Sequence, residues 1–492
     1  MRNQDQTPLL DALKACTTHA HAPFYTPGHK RGVGISQPLA DLLGKKVFRA
    51  DLTELADLDN LFAPQGVILA AQDLAAEAFG AEKTWFLVNG STCGIEAAIL
   101  ATCGTGDKII MPRNVHSSVI SGLILSGAIP IFVNPEYDPV LDIAHSITPQ
   151  AVQTALEKHP DTKAVLVVYP TYYGVCGDLQ AIAQITHQYH IPLLVDEAHG
   201  AHFAFHPDLP PSALAAGADL TVQSTHKVLG AMTQASMLHV QGDRIDIDRI
   251  NKALQLVQST SPSYILLASL DAARQQMALY GKGLMSRTLE LADIARRRIS
   301  EISRLSVLQM PNLDQTRLTV TVSGLGLTGF AAEEILNEKL GVTAEFASLQ
   351  HLTFIISLGN TLSDIEQLVQ GFMRVGSGEL LRLRSVTEGV GSGESNSNQS
   401  TRKGCVLWDN LGCISPREAF FAVSETLPLS QTSDRICTEI VCPYPPGIPI
   451  LMPGELITPA ALEYLQQIQS MGGFITGCAD TSLKTLKVIR NS

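Results

Sequence analysis

The chain has 492 residues, too many for one ordinary hydrophobic core, so two or three domains are expected. Apolar residues make up 45% and charged residues 17%, the balance of a packed globular protein, and no apolar run approaches the ~20 residues that a membrane helix needs. A formal charge of −12 argues against nucleic-acid or anionic-membrane partners, which require a dense basic surface, and mildly favours cationic substrates by steering.

The N-terminal residues MRNQDQTPLLDALKACTTHAH lack the apolar stretch of a secretory signal. The nine cysteines (Cys16, Cys93, Cys103, Cys176, Cys405, Cys413, Cys437, Cys442 and Cys478) include no C-x-x-C pair, which suits reduced thiols in a cytoplasm. Residues 24–32, FYTPGHKRG, form a Pro-Gly turn carrying His29, Lys30 and Arg31, and residues 51–66 gather Asp51, Glu54, Asp57 and Asp59. From about 84 to 242, apolar runs alternate with helical patterns. The runs are WFLV (85–88), KIIM (108–111), IPIFV (129–133), AVLVVY (164–169), PLLVD (192–196), LTVQS (220–224) and ASMLHV (235–240). Separated by stretches such as GIEAAILATC and LQAIAQITHQYH, they predict a seven-stranded, mostly parallel sheet with helices on both faces. A helical stretch follows over 245–305, and RLTVTVSG, AAEEILNEKL and FIISLG then predict a smaller α/β domain. Residues 385–403 are Gly/Ser/Asn-rich and read as a flexible linker. The expected division is an N-terminal segment (1–50), a large domain (51–290), a small α/β domain (291–384), the linker, and a C-terminal α+β domain (404–492) containing PYPPGIPILMPGE.

A lysine in STHKVLG (224–230) would ordinarily be a solvated charge at a strand end. However, Asp196 ends the preceding predicted strand in PLLVDEAHGAH, 31 residues before Lys227, about one strand–helix–strand unit. Both side chains then emerge at the sheet edge where α/β proteins place ligands. Their joint use is well defined: a lysine that forms a Schiff base with pyridoxal phosphate, and an aspartate that keeps the pyridine nitrogen protonated. VNGSTCGIEAAIL supplies the phosphate cup, a helix start at which small residues admit a phosphate and Ser91 and Thr92 add hydroxyls. Such residues are more commonly plain helix caps, but Ser91, Asp196 and Lys227 in three sheet-edge turns make a constellation.

Rival readings are weaker. Gly324 to Gly329 fits G-x-G-x-x-G with Glu345 beyond it, yet too few strands follow for a nucleotide-binding half, so a tight strand–helix turn is expected. His199, His202 and His206 lack H-E-x-x-H spacing, so no metal is expected, and Gly90-Ser91 lacks the spacing of a hydrolase elbow.

Taken together, FYTPGHKRG, DLTELADLDNLFAPQG, GSTCGIEAAILA, RNVHSS, PTYYGVCGD, VDEAHGAHF, QSTHKVLGAMTQAS and PYPPGIPILMPGE resemble the bacterial ornithine/lysine/arginine decarboxylases. These are pyridoxal-phosphate enzymes of the aspartate-aminotransferase fold (fold type I), and the chain resembles their short form without the receiver-like wing. The resemblance implies pyridoxal 5'-phosphate bound by Lys227, with Asp196 on the ring nitrogen and Ser91, Thr92 and Ser224 on the phosphate. It further places His226 beside the lysine, His116 stacked on the ring, Ala198 on the opposite face, and Thr171 near the phenolic oxygen. His199 stands where the inducible enzymes tend to carry an aromatic residue. Decarboxylation of a basic amino acid is implied, with arginine favoured and lysine close behind. Its cationic end would meet a buried carboxylate or a cation–π partner, the candidate acids being Glu455 and the cluster Asp51, Glu54, Asp57 and Asp59. His29 is expected near the site's mouth or a dimer contact, in a homodimer or a higher oligomer. Transamination or elimination on the same scaffold stays open, since Arg317 could hold a substrate carboxylate, as does a cofactor-binding protein without turnover.

Overall fold

The computed structural model describes residues 2–377 and 412–491, so the linker expected at 385–403 lies outside the described residues. The chain forms two units: one comprises 2–109, 156–169 and 178–286, the other 110–155, 170–177 and the described residues from 287 onward.

In the first unit, helix α1 (Pro8–Thr18) is anchored at both ends by side chains distant in sequence. Asp271 accepts the N–H groups of Leu9 and Leu10, and its buried partner Arg274 donates to the carbonyls of Gln4 and Gln6. At the other end Arg31 donates to the carbonyls of Thr17 and His19. Anion at the start and cation at the end match the helix dipole and occupy its orphan groups. The basic turn is thus engaged within its own unit: His29 lies 3.0 Å from Asp51, and Lys30 donates to the Tyr25 carbonyl. Helices α2 (Gln37–Leu43), α3 (Lys45–Ala50) and α4 (Val67–Phe79) follow. Asp59 caps α4 by accepting from Gly66 and Ile68. Burial alone would raise its pKa, but backbone N–H groups of Gln65, Asn60 and Gly66 hold it below the usual carboxylate value.

The strands of the main sheet are β1 (Lys83–Leu87), β2 (Lys108–Pro112), β3 (Ile129–Val133), β6 (Thr162–Val168), β7 (Leu193–Asp196), β8 (Leu220–Gln223) and β9 (Ser236–Val240). Their order is β1–β9–β8–β7–β6–β2–β3. A short hairpin, β4 (Tyr137–Asp138) and β5 (Ile143–Ala144), separates β3 from the helix before β6. All seven predicted runs become strands with ends displaced by at most two residues. Strands β6, β7 and β8 are parallel, whereas β9 runs antiparallel to β8 and β1. Buried on both faces, β6 and β7 carry the near-continuous apolar runs AVLVV and LLV, and β8 and β9 are buried throughout even at their polar residues.

Between the strands lie α5 (Gly90–Thr102), α6 (Ser117–Ser126), α7 (Pro149–Lys158), α8 (Leu179–Gln188) and the short α9 (Thr225–Val228). Helix α5 approaches its sheet closely: a side-chain carbon at Gly94 would lie 2.7 Å from both Leu87 and Val222. Gly94→Val is therefore expected to destabilise by about 1–3 kcal/mol, measured as a lower urea midpoint. An unchanged midpoint would mean that α5 can lift from the sheet without loss. The helical stretch at 245–305 divides into α10 (Ile247–Val257) and α11 (Tyr264–Ser300), broken at a segment containing Pro262.

The second unit contains a four-stranded antiparallel sheet, β10 (Ser306–Val307)–β11 (Arg317–Thr321)–β13 (His351–Ile355)–β12 (Phe346–Ala347). Helices α12 (Gly329–Leu340) and α13 (Leu362–Gly376) share its core through Leu336 and Phe372, which pack with Leu318 and Leu352. Antiparallel pairing leaves no βαβ unit for the G-x-G-x-x-G stretch to serve. Gly326 instead ends a tight turn at φ +78°, and a side chain at Gly329 would collide at 2.3 Å with the carbonyls of Ser348 and His351. A separate core, with Val441, Leu451, Ile457, Leu465 and Val488, belongs to the C-terminal α+β part. It contains α14 (Pro416–Phe421), α15 (Pro459–Ser470) and the strand pairs β14 (Ser424–Pro428) with β17 (Thr485–Ile489) and β15 (Cys442–Tyr444) with β16 (Phe474–Thr476). Among the described residues, no helix is long and apolar enough to cross a membrane.

Candidate active site

In the first unit, β1 runs into a turn that Gly90 permits with φ +74°, and α5 begins. Ser91 and Thr92 fall in the first turn of α5, where backbone N–H groups have no intrahelical partner and a helix start favours an anion. Ser224, after β8, donates to Ser91 Oγ at 2.8 Å, joining two of the residues that sequence reasoning assigned to the phosphate. The turn is braced by Gln258, which accepts from the Val88 N–H at 2.9 Å, and by Asn89, which donates to the Val257 carbonyl.

Asp196 ends β7 in a buried position, where its Oδ1 accepts from the Ala198 N–H at 3.1 Å. Burial raises its pKa, while the Lys227 charge and the Ala198 N–H pull it down. Lys227 stands in α9, its N–H bonded to the Ser224 carbonyl at 3.0 Å. Its Nζ lies 3.1 Å from His199 Nε2, so the residue of unassigned role directly contacts the lysine. His226 Nδ1 lies 3.0 Å from the Ala235 carbonyl, which can only accept, so Nδ1 carries a hydrogen. A buried carboxylate whose neutralisation requires a nearby cation, an amine close by, and a hydroxyl-lined helix start suit the ring nitrogen, aldehyde and phosphate of pyridoxal phosphate.

Sequence reasoning missed the support behind Asp196. Glu197 is fully buried and accepts from Ala213 N–H, Thr221 and Gln223. Burial pushes its carboxyl up to about 7 against the pull of those donors. Gln223 continues to His239, and His239 to Thr84, tying the end of β7 across β8 and β9 to β1. Burial drives His239 down to about 3, so its ring is neutral. The only sequence signal was a second acid directly after Asp196.

In the second unit, His116 caps α6, and its Nδ1 accepts from the Ser118 N–H at 3.2 Å, which places the hydrogen of the neutral ring on Nε2. The Ser117 N–H donates to the Gly447 carbonyl at 3.2 Å. A side-chain carbon at Gly447 would come within 3.4 Å of His116 Cδ2 and Nε2, so PYPPGIP packs against that ring. Thr171 is buried and closes a turn on Val175 through its backbone and its Oγ1. Arg317 is buried on β11, with burial lowering its pKa while Asp314 and Glu345 raise it. Glu455, expected to meet substrate, has both oxygens on Arg113, at 3.1 Å to Nε and 2.9 Å to Nη2. Arg113 also donates to the carbonyls of Pro449 and Ile450.

Residues 7–318 match the family model described as Orn/Lys/Arg decarboxylase, major domain, and residues 414–479 match Orn/Lys/Arg decarboxylase, C-terminal domain. Arginine decarboxylase of Bacillus subtilis is 39% identical over 99% of each chain, and arginine decarboxylase of Bacillus anthracis 40% identical over 99% of this chain and 98% of its own. Lysine decarboxylase LdcA of Pseudomonas aeruginosa is 26% identical, covering 93% of this chain and 75% of its own. The solved structure of lysine decarboxylase A from Pseudomonas aeruginosa has the same fold, with a TM-score of 0.83, 24% identity, and coverage of 98% of this chain and 80% of that one.

Proposed function

The chain belongs to the Orn/Lys/Arg decarboxylase family, whose enzymes use pyridoxal 5'-phosphate, and from that premise we propose that it converts L-arginine to agmatine and CO₂. The observation that carries the choice of arginine is the full-length similarity to arginine decarboxylases, at 39–40% identity against 26% for the lysine enzyme. When bound, the cofactor supplies an electron sink for the pair left at Cα as CO₂ departs. Lys227 would hold the cofactor through its amine, Ser91, Thr92 and Ser224 its phosphate, and Asp196 a proton on the ring nitrogen. His116, Ala198 and Thr171 would complete its surroundings. His199 orients the Lys227 amine from 3.1 Å. His226, its ring fixed through Nδ1 to Ala235, or Lys227 itself returns the proton to Cα.

For the guanidinium we favour Glu54. Asp51 already faces His29, and Glu455 faces Arg113. Glu54 Oε2 accepts from Asn60, but buried Oε1 has no hydrogen-bond partner among the described residues. It also lies close enough to Tyr264 that its charge, after burial, helps raise that hydroxyl's pKa. Tyr264 follows the segment that braces Val88 and Asn89 ahead of α5. Glu54→Gln is expected to raise KM for arginine ~10- to 100-fold, the worth of a hydrogen bond to a charged group, with a smaller change in kcat. An unchanged KM would remove Glu54 from substrate recognition.

The deciding experiment supplies cofactor-loaded protein with arginine, lysine or ornithine and measures CO₂ and amine. Faster release from lysine would overturn the choice of arginine, and keto-acid formation without CO₂ would favour transamination. We place the enzyme in the cytoplasm as a homodimer. The eight described cysteines are free thiols, as a reducing compartment would keep them.

A further inference from the structure

The second unit contains a partly open cavity of about 130 Å³ that none of the residues assigned to cofactor or substrate lines. A dry cavity of roughly this size holds one benzene-sized group. Its walls include the rings of Tyr137, Tyr173, Tyr464, Phe330 and Phe346, and Asp142 is the one charged side chain among its lining residues. The β4–β5 hairpin brings Asp142 there: Asp138 accepts the N–H groups of Val140 and Leu141 across the tip, and Asp142 takes up φ +56°. Tyr137 donates its hydroxyl to Asp142 Oδ1, so the carboxylate is held in place. The hydroxyl pKa values of Tyr173 and Tyr464 are raised by burial, and the Asp142 charge adds to both shifts, so these groups surround one space. His351 anchors the hairpin through the Leu141 carbonyl, but burial lowers its pKa, which leaves the ring neutral at pH 7.

The chemistry of such walls selects the sign of the guest. Ring faces are negative and attract cations, and a carboxylate in an apolar enclosure adds to that attraction. An anion meets repulsion from both, and a neutral apolar guest gains nothing from either the ring faces or the carboxylate. We propose that this cavity is a second binding site, for a small organic cation with an alkylguanidinium or alkylammonium head seated against Asp142 among the aromatic rings.

The test is calorimetric titration of the cofactor-loaded enzyme with butylguanidinium, butylamine and butan-1-ol. Both cations should bind at a site that Asp142→Asn weakens ~10- to 100-fold and Lys227→Ala leaves intact, and their relative affinities distinguish the two head groups. Tyr137→Phe, which keeps the charge but removes the hydroxyl that orients the carboxylate, should weaken the same site several-fold and decides the matter if Asp142→Asn fails to fold. Butan-1-ol binding as tightly as the cations, or cation binding unaltered in a folded Asp142 or Tyr137 variant, would overturn the proposal. Absence of CO₂ release from arginine in the wild type would remove the decarboxylase reading and leave Asp142-dependent binding to stand or fall on the titration.

Discussion

Lys227→Ala is expected to lower CO₂ release from arginine by ~10³-fold or more and to abolish the visible absorbance of bound cofactor. The lysine is held for its role by its surroundings. Its N–H is tied to the Ser224 carbonyl, and the neighbouring His226 N–H to that of Ala235, so the short helix α9 is fastened at the strand end. His199 faces its amine, and Asp196 lies close enough to feel its charge. A smaller loss of rate, or a retained absorbance band, would point to another lysine as the anchor. The cofactor-free variant should show a second effect. Without the Lys227 charge, the already raised pKa of Asp196 rises further, so the folded state keeps a proton that the unfolded chain has lost. Stability is then greatest below the ordinary carboxyl pKa of about 4 and declines as pH rises towards the folded value, more steeply than in the wild type.

The second large effect is structural. Glu455→Ala is expected to cost about 3–5 kcal/mol, because it leaves the Arg113 guanidinium buried without its counter-charge. The side chains of the pair are only 3% and 11% exposed, and the Met452 N–H also donates to Glu455 Oε2. Denaturant unfolding monitored beside steady-state kinetics separates this from substrate recognition. A raised KM with unchanged stability would return Glu455 to the substrate pocket. A lower midpoint with KM preserved in the folded fraction fits the ion pair.

These two predictions mark where the sequence could and could not be read. The positions of Lys227, Asp196 and Ser91 were legible because each lies at or just past the end of an apolar run, and parallel strands deliver such residues to one edge. The seven runs were legible because strands buried on both faces tolerate few polar residues, and bounded apolar runs betray them. Partner choice was not legible. Glu455 pairs with a residue 342 positions away, and Asp271 caps a helix 262 residues before it. Either acid, seen locally, is indistinguishable from a solvated one until the tertiary fold chooses its neighbour. The partners of the basic turn were equally hidden: Arg31 meets the end of α1 and His29 meets Asp51. His199 stood out only as a departure from the related pattern, and its contact with Lys227 needed the fold to bring strand ends together.

The Arg113–Glu455 pair also bears on how such chains evolve. Arg113 lies in the segment matched by one family model and Glu455 in the segment matched by the other. The two modules therefore share a buried charge that neither can lose alone. A chimera that exchanges the C-terminal module between distant relatives must import an acid at this position, or replace the arginine as well.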